Sequence, residues 1–103
     1  MKALIVEDDL GLAELIKEKV EASGFETYSV QTADSAFKWL TENTPHLMLL
    51  DYSLPDMKGD EFITALQKSE LSIPPFIVTT GQGDEHIAVA MMKLGAKDYL
   101  IKN

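Results

Sequence analysis

The sequence has no cysteine, no arginine and only 4 prolines in 103 residues. Nor does it contain any apolar run near the roughly 20 residues that a membrane-spanning helix needs. The missing cysteine excludes a disulfide scaffold, a thiol nucleophile and a cysteine metal site. The missing arginine removes the bidentate guanidinium clamp for phosphate. With 9 basic side chains against 17 acidic ones, and a formal charge of -8, no basic patch is available for nucleic acid. Direct nucleic-acid binding and membrane insertion are therefore not expected. Met1-Lys2-Ala3-Leu4 is too short an opening for a signal peptide, so a cytoplasmic location is expected. What the chain does have is a composition of 46% hydrophobic and 25% charged residues, ordinary for an ordered globular domain. Its length is that of one domain, enough to bury roughly two-thirds of the unfolded surface. An acidic surface of this kind suits solubility, cations or a basic partner.

Two kinds of segment alternate along the chain. Ala3–Val6, Leu47–Leu50 and Phe76–Val78 are short apolar runs without polar alternation, as expected of strands buried on both faces of a parallel sheet. Glu26–Val30 alternates polar and apolar residues and reads as a strand nearer an edge, and Tyr99–Ile101 as a short last strand. Between them, Leu12, Leu15, Ile16 and Val20 repeat at helix spacing and stop at Ser23-Gly24. Thr32 caps a second helix with a stripe of Ala33, Ala36, Phe37 and Leu40, ended before Pro45. Phe62, Ile63 and Leu66 mark a third helix entered after Gly59. A fourth begins at Asp84, places Ile87, Ala88, Met91, Met92 and Leu94 inside, and stops at Gly95. Strict βα alternation over five strands and four helices implies right-handed crossovers and a doubly wound α/β sheet.

The unusual residues collect at strand ends. Glu7-Asp8-Asp9 closes the first strand, Asp51 the third, Thr79-Thr80-Gly81 the fourth and Lys102 the fifth. In a parallel sheet these ends share one edge, where open α/β sheets bind ligands. Carboxylates a few Å apart repel by up to ~4 kcal/mol per pair at intermediate dielectric, and a cation keeps them ionised. Oxygen ligands without cysteine or well-placed histidine favour Mg²⁺ or Mn²⁺. A lysine and a threonine hydroxyl opposite the metal complete a phosphoryl site. Asp51, alone at the end of a central strand, is the best candidate for a carboxylate nucleophile.

Val6-Glu7-Asp8-Asp9, the stretch Leu49 to Gly59 with Asp51, Leu54-Pro55 and Gly59, Thr80-Gly81, and Gly95-Ala96-Lys97-Asp98-Tyr99-Leu100-Ile101-Lys102 together resemble the receiver domain of two-component response regulators. The resemblance covers the whole chain in the family's order and spacing. It implies a flavodoxin-like five-stranded parallel sheet of order 2-1-3-4-5, with four of the family's usual five helices present. It implies that Asp51 accepts a phosphoryl group, in a Mg²⁺-dependent (or Mn²⁺-dependent) reaction, from a sensor histidine kinase or phosphotransfer protein. Asp8 would bind the metal directly, Glu7 mostly through water, and the Ser53 backbone carbonyl would be a further ligand. Thr80, at the family's spacing from Lys102, would be the switch hydroxyl, Lys102 would pair with phosphoryl oxygens, and Tyr99 would be the aromatic that moves inward. Ser53 and Gln82 occupy the positions that tune hydrolysis of the acyl phosphate. Such a domain is a phosphoacceptor rather than an enzyme, controlling an output partner or an output domain beyond the C-terminus.

Taken singly, each residue has a plainer reading. Glu7-Asp8 serves equally as helix N-terminal charge, Asp51 as a turn residue before Pro55, the threonines as structural groups, Lys102 as solvated surface and Tyr99 as core. His46 and His86 read as surface residues and Trp39 as partly exposed. The chain departs from the family where Asn103 stands in place of the proline that usually follows the lysine. The uncharged run from Ile87 to Met92 reads first as a well-packed helix, and otherwise as a partner or homodimer surface formed with the fifth strand. Lacking a fifth helix, the domain is expected to expose apolar surface near the fourth and fifth strands, to be covered by a neighbouring molecule or by further sequence. Two other functions compete. An aspartate-nucleophile phosphohydrolase usually needs a second acid where Ser53 stands, and a phosphate-independent interaction module would carry a broken acidic pair or lack the lysine.

Overall fold

The computed structural model describes residues 1–102, so the Asn103 departure lies outside the described residues. Strands β1 (Lys2–Val6), β2 (Glu26–Val30), β3 (Leu47–Asp51), β4 (Phe76–Thr80) and β5 (Asp98–Ile101) alternate with helices α1 (Leu10–Ala22), α2 (Ala33–Glu42), α3 (Gly59–Lys68) and α4 (Glu85–Lys93). These five strands pair in parallel throughout, in the order β2-β1-β3-β4-β5. The alternating segment Glu26–Val30 is indeed an edge strand. No helix among the described residues is long and apolar enough to cross a membrane.

Strand alternation divides the core in two. Leu4, Val6, Met48, Leu50, Phe76 and Val78 point to one face and meet Ala33, Ala36 and Leu40 of α2, Phe62, Ile63 and Leu66 of α3, and Met91 of α4. Ala3, Ile5 and Leu49 point to the other face and meet Ala13, Ile16 and Val20 of α1. Central strands buried on both sides cannot alternate with polar residues, which is why their sequences are continuously apolar. Phe62, 1% exposed, fills the middle of the larger cluster. Phe62→Ala is expected to cost about 3–5 kcal/mol of folding free energy, read as a lower urea midpoint at unchanged slope.

Local chemistry sets the helix ends. Asp9 Oδ1 accepts from Leu12 N–H at 3.0 Å to cap α1, and Thr32 Oγ1 accepts from Ser35 N–H at 3.0 Å to cap α2. Gly24 and Gly95 take φ of 95° and 110° at the ends of α1 and α4, a conformation that side chains resist. Asp84 starts α4 without a side-chain cap.

Three helices cover one face and a single helix the other, which leaves a groove of about 480 Å³ lined by Leu15, Ile16, Leu49, Thr79, Leu100 and Ile101. The apolar surface expected beside the last two strands is present there. Leu15 is 57% and Leu100 51% exposed. Two expectations about burial are corrected. Met92, placed inside α4, is 40% exposed, because Met91 already faces the sheet and the next residue turns about 100° away. Tyr99, read as core, is 37% exposed on the edge strand β5. Val89, at 54%, joins Met92 on an outward apolar face of α4. Trp39 is half-buried against Tyr28, with ring centroids 5.4 Å apart.

Candidate functional site

The carboxyl ends of β1, β3 and β5 bring three acids and one ammonium together. The Glu7 N–H donates to Val30 O at 3.0 Å, extending the sheet by one residue. The Lys102 N–H does the same with Thr80 O at 2.8 Å, and the Tyr52 N–H with Thr79 O at 3.0 Å. These bonds fix the backbone on both sides of the pocket before any side chain is considered. Glu7 is 2% and Asp51 3% exposed, whereas Asp8 is exposed at the mouth. One carboxylate oxygen from each of the three lies within 4.8 Å of the others.

Lys102 is the counter-charge. Its Nζ lies 2.9 Å from Asp51 Oδ2 and 3.1 Å from Glu7 Oε1. The other oxygens are held by backbone: Ser53 N–H donates to Asp51 Oδ1 at 3.1 Å, and Asp9 N–H to Glu7 Oε2 at 3.1 Å. Burial pushes the Glu7 carboxyl above its ordinary range, further helped by the Asp51 charge; the Asp9 amide and Lys102 oppose this without cancelling it. For Lys102, burial works against the charge, but Asp51 and Glu7 outweigh it and hold the ammonium above its ordinary range. Three acids against one base leave a local excess of negative charge.

The donor set fits a hard divalent cation. It is all oxygen, it holds more carboxylates than cations, and buried Glu7 Oε1 has Lys102 beside it but no well-aligned hydrogen bond among the described residues. Thr80 is 1% exposed at the end of β4, and its hydroxyl has no hydrogen-bond partner among the described residues. Thr79 Oγ1 is equally unpartnered, but strand alternation places it on the α1 face beside Leu49. Ser53 and Gln82 are exposed on the loops after β3 and β4. Tyr99 lies on β5 opposite Val78, two residues before Ile101, which faces Thr80.

The acidic run of the sequence is split by the fold. Glu7 faces inward, Asp8 stands at the mouth, and Asp9 serves α1. Sequence reasoning missed Asp56, which leaves the pocket side of the β3–α3 loop to bond the start of α2. Pro55-Asp56 gave only a turn signal; a contact spanning 23 residues leaves no local pattern.

The family profile of the response regulator receiver domain matches residues 3–103. The chain belongs to that family. As a receiver, it is 36% identical over 102 residues to the phosphate regulon transcriptional regulatory protein PhoB of Rhizobium meliloti, covering 98% of this chain and 45% of that protein. The PhoB of Pseudomonas aeruginosa is 32% identical over 100 residues, covering 96% and 44%. The chain thus spans a little under half the length of these relatives. A response regulator receiver protein from Pseudomonas putida superposes with a TM-score of 0.86 at 26% identity, covering 98% of this chain and 84% of that one. The receiver domain of NtrX from Brucella abortus gives 0.84 at 28% identity, covering 97% and 84%. The receiver's α/β sheet of order 2-1-3-4-5 is the flavodoxin-like arrangement, and its acidic pocket is consistent with phosphoacceptor signalling in a two-component system.

Proposed function

We propose that this receiver is a phosphorylation-driven switch in which Asp51 takes a phosphoryl group from the phosphohistidine of a sensor kinase or phosphotransfer protein. The observation that carries the reading is the position of Lys102, bridging Asp51 and Glu7 with Asp8 in reach. An Asp51 carboxylate oxygen attacks phosphorus, the P–N bond breaks, and its electron pair stays on the imidazole nitrogen, which takes up a proton from water. Glu7, Asp8, Asp51 and the Ser53 carbonyl would hold Mg²⁺ (or Mn²⁺). The ion supplies charge neutralisation for the phosphoryl oxygens. Lys102 leaves its carboxylates to pair with one of those oxygens, and the unpartnered Thr80 hydroxyl donates to another.

The covalent phosphate adds about two negative charges beside an acidic pocket. Drawing Thr80 toward it changes the space beside the last strands, and Tyr99, now 37% exposed, moves inward to shift a two-state equilibrium. Exposed Ser53 and Gln82 set water access to the acyl phosphate and hence its lifetime. The output is a partner, or a further domain such as a longer regulator carries, and the outward apolar residues of α4 with β5 offer a face for a second copy.

The test is incubation with acetyl phosphate, which carries a phosphoryl group without a kinase, followed by intact-mass measurement. One phosphoryl group should be gained with Mg²⁺ and none with chelator. A folded chain that gains nothing and binds no Mg²⁺ is instead a phosphate-independent interaction module. Steady turnover of a phosphate ester would mark a hydrolase.

A further inference from the structure

Asp56 joins two parts of the fold that the sequence leaves unconnected. Its Oδ1 accepts from Ala33 N–H at 2.9 Å and its Oδ2 from Asp34 N–H at 3.0 Å. The first N–H groups of a helix have no partner within the helix, and here a carboxylate from the β3–α3 loop takes two of them. The Ala33 amide contributes most to holding the Asp56 carboxyl below its ordinary range, so the acceptor is ionised at neutral pH. Yet α2 already has its own cap in Thr32, which accepts from Ser35 N–H at 3.0 Å. The second cap therefore does something the first cannot: it ties a loop to the helix.

That loop is anchored at several points from Asp56 back to the pocket. Pro55 fixes its own φ, and Leu54 is anchored in the core at 5% exposure. Ser53 bridges Lys58 in antiparallel fashion, and Gly59 N–H donates to Tyr52 O at 2.7 Å. Space is tight here, since a Cβ on Gly59 would sit 3.2 Å from Tyr52 Cα. At the far end Ser53 N–H donates to Asp51 Oδ1 at 3.1 Å, while Asp51 Oδ2 faces Lys102 at 2.9 Å. A displaced loop would release one oxygen of the carboxylate and let it turn about the other.

We propose that Asp56 is a positioning residue: by clamping the β3–α3 loop to α2 it holds the Ser53 amide against Asp51 and so sets the orientation of that carboxylate. Its consequence for phosphoryl transfer rests on the phosphoacceptor reading of Asp51, whereas the clamp itself does not. Partners of this kind, one bond removed from a reacting or metal-binding group, commonly change activity by ~10-fold or more when lost.

The experiment compares Asp56→Ala and Asp56→Asn with Thr32→Ala, which removes the other α2 cap without touching the loop. Amide hydrogen exchange across residues 53–58 is measured in the metal-free chain, together with thermal midpoint, Mg²⁺ affinity and phosphoryl uptake from acetyl phosphate. Asp56→Ala should speed exchange at Ser53 and slow uptake, each by ~10-fold. Asp56→Asn, which keeps one acceptor oxygen, should fall between. Thr32→Ala should lower the midpoint comparably but leave Ser53 exchange and uptake unchanged. Equal behaviour of Asp56→Ala and Thr32→Ala, or unaltered Ser53 exchange in Asp56→Ala, overturns the clamp. If the unaltered chain takes up no phosphate, the phosphoacceptor reading fails, and the exchange comparison still decides the clamp.

Discussion

Lys102→Ala is expected to destabilise the metal-free receiver by about 3 kcal/mol, near the lower end of what removing one partner from a buried ion pair costs. Glu7 and Asp51 are 2% and 3% exposed, and Lys102 is the ammonium that faces both. Without it, each buried carboxylate loses its countercharge and faces the other. Neighbouring carboxylates at ~4 Å and an effective dielectric of 20 repel by about 4 kcal/mol. Relief by protonation falls on Glu7, which burial already pushes above its ordinary range. The Lys102 side chain is 27% exposed, so solvent screens part of the pair and the lower figure applies. Urea unfolding in chelator and in excess Mg²⁺ separates the effects. The variant should lose its stability in chelator and regain most of it with the ion, because a bound divalent cation supplies the missing charge. Equal midpoints for variant and unaltered chain in chelator would remove Lys102 from the electrostatics of the fold.

Much of the architecture was legible because burial on two faces leaves a mark. Leu47–Leu50 and Phe76–Val78 are continuous apolar runs since alternate residues enter different halves of the core. Glu26–Val30 alternates because β2 lies at an edge. Periodicity reveals an apolar stripe but not what stands opposite it. Leu15 belongs to the same stripe as Leu12 and Ile16, yet borders the groove beside β5 and is 57% exposed. Met92 and Tyr99 fail for the same reason: each is apolar in a segment that has more apolar residues than neighbours to bury them.

The pocket was legible because parallel strands deliver their ends to one edge. Glu7, Asp8, Asp51 and Lys102, spread over the chain, come together because β1, β3 and β5 end at the same edge of the sheet, and Thr80 ends β4 on that edge. That Asp9, rather than Glu7 or Asp8, caps α1 was not legible. Consecutive residues leaving a strand point in different directions, and only the entry angle of α1 decides which one caps it. Asp56 was invisible for a simpler reason: its partners belong to another helix, chosen by packing rather than by sequence neighbourhood.

Asp51→Asn should abolish phosphoryl uptake while leaving the fold intact. The amide oxygen can still accept from Ser53 N–H, as Oδ1 does at 3.1 Å, so the side chain keeps one anchor while its amide nitrogen, a donor in the place of Oδ2, turns Lys102 Nζ toward Glu7 and solvent. The variant side chain lacks the negative charge that faces Lys102 at 2.9 Å, and with it the oxygen proposed as the nucleophile. Lys102 retains Glu7 at 3.1 Å, so no buried charge is stranded. One source of repulsion on Glu7 disappears as well, because the Asp51 charge helps push its carboxyl upward. The metal-free variant should therefore unfold at a urea concentration close to that of the unaltered chain, unlike Lys102→Ala. Mg²⁺ should bind more weakly, since one of three clustered carboxylates is neutralised. Intact-mass measurement after acetyl phosphate treatment at saturating Mg²⁺ is the decisive comparison. A phosphoryl gain that survives in Asp51→Asn would place the acceptor on another side chain, with the exposed Asp8 first in line as the remaining carboxylate at the mouth.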